Sequence, residues 1–304
     1  MVDTLQLVSQ GKTLDPGPET LGELRESTDV LEDAGALRER MADDGYLFFR
    51  GLLDRDEVEL ARVELLGRLA EEGGLDPQAP LAEGRLRTIE RIGFRPELTR
   101  SSPTLRSLLF DGTMISFFTR FLGGEVRHFD FIWLRSVSPG FGTPPHGDAV
   151  FMNRGTMNLY TAWTPLGDID RQLGGLIVLE NSHKVDHIRE VYSTLDVDTY
   201  CENRGGATVH SVPDIETWFG QISADPVSLR NELGGRWLTT DFRMGDLLIF
   251  SMYTLHASLD NQTESLLRLS SDTRYQLASD PIDHRWIGDH PIGHGPDAKV
   301  GIIC

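Results

Sequence analysis

Hydrophobic and polar positions along this 304-residue chain fall into two textures that meet near residue 125. Before that point apolar residues recur at helical spacing. The stretch Leu21 to Met41 carries the spacing, and it returns most clearly at Val58, Ala61, Leu65, Leu66 and Leu69 after a strand-like run, Tyr46-Leu47-Phe48-Phe49, set between Gly45 and Gly51. Asp54 is placed to cap this second helix, with Glu57 as its reciprocal partner, and Gly73-Gly74 ends it. A further helix is expected from Pro103 to Leu122, closed by Gly123-Gly124. Residues 1 to about 20 hold no sustained periodicity and contain Gly11, Pro16, Gly17 and Pro18, so they are expected to form a flexible lead-in.

Beyond residue 125 the chain turns to short runs rich in β-branched and aromatic residues, separated by Gly, Pro and Asp. Strands are predicted at 126–137, 146–151, 158–165, 175–179, 236–240, 246–252 and 267–276, at spacings typical of a barrel or sandwich. The polar insert from His183 to Asp225 is expected to be a long loop that borders or covers a site. The resulting fold class is α+β, mainly β, in one domain over 21–304. A helical layer of about residues 21–125 packs on an antiparallel barrel of about 126–280.

Composition narrows the partners. A hydrophobic fraction of 39% is enough for a core, and 29 Lys+Arg against 47 Asp+Glu leave a net charge of −18. Such a chain has no cationic face for nucleic acid or an anionic membrane, and an anionic substrate would need a local arginine. Cys201 and Cys304 are too few for a disulfide framework, which fits a reducing cytoplasm. Met1 to Leu14 lacks a basic segment followed by an apolar one, and the longest apolar runs fall far short of the roughly 18 residues that span a bilayer. The expectation is a cytoplasmic protein, monomer or homodimer, acting on a small molecule.

Among residues that carry chemistry, HExxH, GxSxG, CxxC and GxGxxG are all absent, which leaves histidines and carboxylates. His146-Gly147-Asp148 follows a Gly/Pro-rich loop; residues i and i+2 of a strand share a face, so an imidazole and a carboxylate can stand side by side. With 9 His and 47 acids, a His-x-acid triplet is expected by chance about once, so an ordinary surface or core pair stays open as a reading. A second triplet, His128-Phe129-Asp130, sits in an aromatic run with Phe131 and Trp133 and reads as barrel wall. A Gly245-Asp246 turn then feeds an apolar strand ending in His256, and Arg268 follows on the next strand. Two histidines and a carboxylate on barrel strands are the ligand set of non-haem Fe(II) oxygenases, and a guanidinium can hold the far end of a dicarboxylate cosubstrate.

The ordered set His146-x-Asp148, Trp163-x-x-Leu166, Gly174-Gly175-Leu176-Ile177-Val178 leading to Ser182-His183-Lys184, Gly245-Asp246, His256-x-Ser258-x-x-Asn261 and Arg268-x-Ser270 resembles the phytanoyl-CoA dioxygenase family. The resemblance covers roughly Asp43 to Trp286 and includes the opening Asp44-Gly45-Tyr46 through Arg50-Gly51-Leu52. It implies a double-stranded β-helix, a cupin-like jelly roll, in which His146, Asp148 and His256 bind Fe(II). It further implies that Arg268, assisted by Ser258, binds the far carboxylate of 2-oxoglutarate. The implied reaction consumes O2 and 2-oxoglutarate, releases succinate and CO2, and hydroxylates an unactivated C–H bond of a small organic molecule. Two departures stand out: the His256-to-Arg268 interval is one residue longer than in several relatives, leaving Arg274 as the alternative arginine, and Glu180-Asn181 replaces a Pro-Gly before Ser182-His183.

Competing readings are a non-catalytic cupin-like metal binder and a zinc hydrolase on the same ligands, which leaves Arg268 without a task. A halogenase is disfavoured because Asp148 occupies the position such chemistry gives to chloride. Tyr160 and Thr161 are expected near the cosubstrate, His183 orders its own loop, Trp133 and Trp163 are wall residues, and His290 with His294 is not expected to form a metal pair. The arginines from Arg85 to Arg106 read first as ion-pair partners of the acidic surface, and the functional alternative offers Arg91 and Arg95, near Phe94, as candidates for a carboxylate or phosphate on the substrate.

Overall fold

Strands buried on both faces, with alternate residues facing different neighbours, set the architecture. The computed structural model describes residues 6–89, 96–201, 206–207 and 219–303. In strand Tyr46–Phe49 every residue is buried. Leu47 and Phe49 join the apolar cluster shared with the helices, while Tyr46 and Phe48 join a second cluster between two sheets. Strand Leu247–Ser251 divides in the same way, Leu247 and Ile249 to the helices, Leu248 and Phe250 to the opposite sheet. Period-two geometry thus gives one strand two cores.

The larger sheet runs in the order Tyr46–Phe49, Leu247–Ser251, Tyr160–Pro165, Arg268–Leu277, Val126–His128, with Trp133–Val137 also paired to the ten-residue strand Arg268–Leu277. All its pairings are antiparallel. The smaller sheet runs His256–Ser258, Leu176–Leu179, Trp237–Thr239, Leu21–Glu23, its last pairing parallel. Between the sheets lie Phe48, Trp163, Val178, Leu238, Phe242 and Phe250, the fill of a double-stranded β-helix whose two sheets remain open rather than closing into a barrel.

Helices Ala34–Asp44, Arg55–Glu71, Pro103–Phe110 and Gly112–Leu122 cover the outer face of the larger sheet. Their ends are satisfied locally. Asp54 accepts from the N–H groups of Asp56 and Glu57 at 2.8 and 3.1 Å, and Gly45 and Gly123 adopt the left-handed conformation that closes a helix.

Several boundaries differ from the expectations, each for a tertiary reason. The stretch from Leu21 to Met41 is not one helix, because Leu21–Glu23 is captured as an edge strand by Trp237–Thr239 and the α-helix starts only at Ala34. The 103–122 segment breaks at Asp111, which is extended, caps the second helix and precedes Gly112 at φ +51°. The 126–137 strand splits where the Phe129 and Asp130 N–H groups turn to the carbonyls of Arg274 and Trp286. Residues 146–151 are not a strand: His146 makes a single bridge to His256, and Ala149–Met152 is a helical turn. Within the expected lead-in, Val8–Ser9 and Lys12–Thr13 form a hairpin that docks on the smaller sheet, Ser9 Oγ donating to the Ser258 carbonyl at 2.8 Å. Among the described residues no helix is long and apolar enough to cross a membrane.

Replacing fully buried Leu248 by Ala should lower unfolding free energy by about 2–5 kcal/mol, whereas Leu60→Ala, at a position 62% exposed, should change it by about 0.5 kcal/mol or less, both read by urea denaturation.

Candidate active site

His256 opens the edge strand of the smaller sheet, and His146 lies opposite it in an antiparallel bridge whose two N–H···O bonds measure 3.0 and 2.9 Å. Backbone pairing therefore sets the two imidazoles against each other, with ring centroids 4.2 Å apart. Each ring is oriented by the carbonyl two residues upstream, His146 Nδ1 donating to Pro144 at 2.8 Å and His256 Nδ1 to Thr254 at 3.1 Å. The lone pair is left on Nε2 in both. Asp148 completes the cluster: its Oδ1 stands 3.8 Å from His146 Nε2 and 3.9 Å from His256 Nε2, and one ligand atom from each residue falls within 4.8 Å of the others.

The structure brings His146 and Asp148 together by a different route from the shared strand face expected. Asp148 has helical φ and ψ at the start of the 149–152 turn, and Gly147 between them has little space, since a Cβ there would lie 3.3–3.4 Å from Tyr192, Leu255 and the Met252 carbonyl. The Gly147 N–H donates to the Tyr192 hydroxyl at 3.1 Å, so the insert after residue 183 buttresses the cluster.

Asp148 uses its two oxygens differently. Oδ2 accepts from Arg274 Nη2 at 2.7 Å and from the Thr161 hydroxyl, two residues that pair across adjacent strands, while Oδ1 faces the histidines. Burial opposes ionisation of this carboxyl, but the Arg274 guanidinium, the two histidines and the Thr161 hydroxyl outweigh it and hold its pKa well below the usual range. Burial, and the neighbouring His256, push His146 down to about 3, and burial lowers His256 as well. At neutral pH both rings are uncharged, the form that ligates metal.

Alternate residues of the long strand point into the sandwich: Arg268, Ser270, Asp272 and Arg274, while Leu269 and Tyr275 pack toward the helices. Arg274 is paired with Asp148 through Nη2, its Nε and Nη1 have no hydrogen-bond partner among the described residues, and its guanidinium carbon lies 4.1 Å from the centre of the Trp133 ring. Arg268 lacks even that one carboxylate among the described residues. It is 1% exposed, its Nε and Nη1 have no hydrogen-bond partner among the described residues, and burial, only partly offset by Asp272 and worsened by Arg135, lowers its pKa to about 10. A buried guanidinium without an anion is costly, so its surroundings are built for an anionic ligand. Ser258, two residues after His256, accepts the Thr143 N–H at 2.7 Å and keeps its own hydroxyl proton to donate.

A cavity of about 260 Å³ opens on His146 and Asp148, walled by Trp133, Arg135, Phe151, Met152, Gln221 and His294. His294 is a wall residue that sequence reasoning missed: its Nδ1 meets Asp198 Oδ2 at 2.8 Å, and Asp198 also binds Arg285 and Lys299 at 2.6 and 2.7 Å. No local pattern marks a histidine fixed by a carboxylate almost a hundred positions away. Thr161 touches Asp148, and Tyr160 packs against Phe121 on the helical side. His183 donates through Nε2 to the Ala42 carbonyl at 3.0 Å and lies against Gly45, whose φ of +77° and lack of a Cβ make room for the ring. His128 stacks on Phe110. Arg91 and Arg95 lie outside the described residues.

Comparison with known proteins gives a concordant picture. A family model described as phytanoyl-CoA dioxygenase (PhyH) matches residues 41–269. The chain is 27% identical over 295 residues, 94% of its own length and 95% of the relative's, to a 1-deoxypentalenic acid 11-beta-hydroxylase of Streptomyces exfoliatus. Among solved structures, EctD from S. alaskensis with 2-oxoglutarate and 5-hydroxyectoine is 19% identical with a TM-score of 0.58, covering 94% of this chain and 91% of that one. The epimerase SnoN in complex with Fe3+, alpha ketoglutarate and nogalamycin RO is 20% identical with a TM-score of 0.55, covering 85% and 94%.

Because His146 binds its proton far less readily when folded than the ordinary value of 6.5, the unfolded chain takes up more protons in acid and stability falls with falling pH. From about pH 7 to about pH 5 the metal-free protein should lose about 2 kcal/mol more stability than its His146→Gln variant, measured by denaturation at each pH.

Proposed function

This chain belongs to the phytanoyl-CoA dioxygenase family of Fe(II)- and 2-oxoglutarate-dependent oxygenases, and we propose that it hydroxylates an unactivated C–H bond of a small organic molecule, with His146, Asp148 and His256 holding the iron and Arg268 anchoring 2-oxoglutarate. The observation that carries the assignment is the pairing of an oriented two-histidine, one-carboxylate cluster with a buried arginine that has no anion of its own. A bare metal binder would have no use for Arg268. The donors also suit the metal: two neutral imidazoles and one carboxylate are the facial set of non-haem iron enzymes.

When bound, iron and 2-oxoglutarate supply the oxidising chemistry, with succinate and CO2 as by-products of the hydroxylation. The chain's own residues bind, orient and shield. Pro144 and Thr254 carbonyls lock both imidazoles in the ligating tautomer. Arg274 and Thr161 occupy Asp148 Oδ2 and leave Oδ1 as the ligating oxygen. Arg268 would hold the distal carboxylate with charge-assisted hydrogen bonds, and Ser258 would add a hydroxyl donor. Trp133, Phe151 and Met152 keep the cavity apolar and exclude water from the reacting centre.

Adding 2-oxoglutarate anaerobically to the Fe(II) protein should produce the weak visible charge-transfer band of a chelated keto acid. Arg268→Ala should raise the 2-oxoglutarate Kd about tenfold to a hundredfold with iron binding retained. Arg274→Ala should instead weaken iron binding about tenfold to a hundredfold, because it releases the oxygen that orients Asp148. If Arg274→Ala impairs 2-oxoglutarate binding and Arg268→Ala does not, the two arginines have been assigned the wrong way round. Iron stoichiometry surviving His256→Ala would overturn the ligand set.

A further inference from the structure

Resting on the reading above, we propose that the substrate is an apolar monocarboxylic acid and that Arg135 is the residue that holds its carboxylate. Arg135 lies on strand Trp133–Val137 in register with Ser270 of the long strand, so it points into the sandwich between Arg268 and the metal cluster. Its Nε donates to Asp272 Oδ2 at 2.7 Å, the one hydrogen-bond partner it has among the described residues. That bond fixes the stem and directs the terminal amino edge of the guanidinium toward the cavity, where the side chain keeps 31% of its surface exposed. Arg274, the other arginine on this wall, is 1% exposed and already engaged by Asp148, and Arg268 is buried away from the cavity lining. Arg135 is thus the cation that a ligand entering the cavity meets.

Charge balance gives the valence of the ligand. Three arginines, Arg135, Arg268 and Arg274, face two aspartates, Asp148 and Asp272, across this interior, leaving one positive charge. An Fe(II) ion and a 2-oxoglutarate dianion add nothing to that total, so one further negative charge neutralises the site. The neighbouring cluster is balanced internally, with Arg154, Arg285 and Lys299 set against Asp196, Asp198 and Asp283, and does not alter the count. Most of the remaining wall, Trp133, Phe151, Met152 and Pro144 around about 260 Å³, suits a compact and largely hydrocarbon skeleton, with Thr143, Gln221 and His294 as its polar margin. A phosphate would bring a second charge and a hydration shell that this apolar wall does not match.

The test uses the Fe(II) holoenzyme and a panel of compact apolar acids, each against its primary amide, with adamantane-1-carboxylic acid and adamantane-1-carboxamide as the reference pair. The acid should stimulate succinate release with a KM at least about tenfold below that of the amide, and Arg135→Gln should remove that preference by raising the acid's KM about tenfold to a hundredfold. The charge-transfer titration should give an unchanged 2-oxoglutarate Kd in the variant. Since Arg135→Gln leaves Asp272 unpaired, the double variant Arg135→Gln/Asp272→Asn should show the same loss of preference with restored thermal stability. Amides that serve as well as acids, a panel in which no acid stimulates turnover, or a 2-oxoglutarate Kd that rises with Arg135→Gln would each overturn the proposal. A wild-type protein lacking the charge-transfer band would instead fault the underlying oxygenase reading.

Discussion

Charge buried inside a β-sandwich has to be answered by opposite charge, and that constraint organises the centre of this protein. The inner face of strand Arg268–Leu277 carries two arginines and an aspartate into a region where desolvation is severe. Asp148 answers Arg274, and Asp272 answers Arg135. Because the Arg274 contact takes only Oδ2, it leaves Oδ1 for a metal. Arg268 has no such answer among the described residues.

The same strand serves the fold on its other face. Leu269 and Tyr275 point outward into the cluster shared with the helices, Tyr275 stacking on Phe118 at a centroid distance of 4.0 Å and donating to the Leu109 carbonyl at 2.6 Å. The helical layer therefore clamps the strand that positions both Arg268 and Arg274. A displacement of the helices would be felt at Asp148 through one rigid, ten-residue element. On the other side, the smaller sheet fixes His256, and the 8–13 hairpin is tied to that edge through Ser258 and Asp260.

How much of this was legible depended on how local its cause is. Helix Arg55–Glu71 was readable because its cap and its apolar stripe are encoded within the segment itself. The clustering of His146, Asp148 and His256 was readable because His-x-Asp and the later histidine keep a recognisable order. Leu21–Glu23 was misjudged because its partner strand lies more than two hundred residues away. His146 and Asp148 were rightly paired on the wrong geometry, since a bridge to His256 followed by a helical turn gives the same proximity as a strand face. Arg268 and Arg274 share a parity on their strand and both keep Nε and Nη1 unpartnered, so spacing alone leaves both as candidates; only the Asp148 carboxylate on Arg274 Nη2 tells them apart. Arg135 and His294 carried no signal, because one is defined by a cross-strand register and the other by the Asp198 ion cluster.

The net charge of −18 and a site built for anions are compatible once distance is considered. Surface carboxylates act through water and salt, which screen them beyond about 8 Å. The interior arginines act at contact range in a medium of low effective dielectric, where one unpaired guanidinium outweighs many distant charges. A small anion that reaches the mouth of the cavity therefore meets a locally positive wall, formed by Arg135 and Arg274. Repulsion by the surface carboxylates and attraction by the buried arginines coexist in one sequence because the two operate over different distances and in different media.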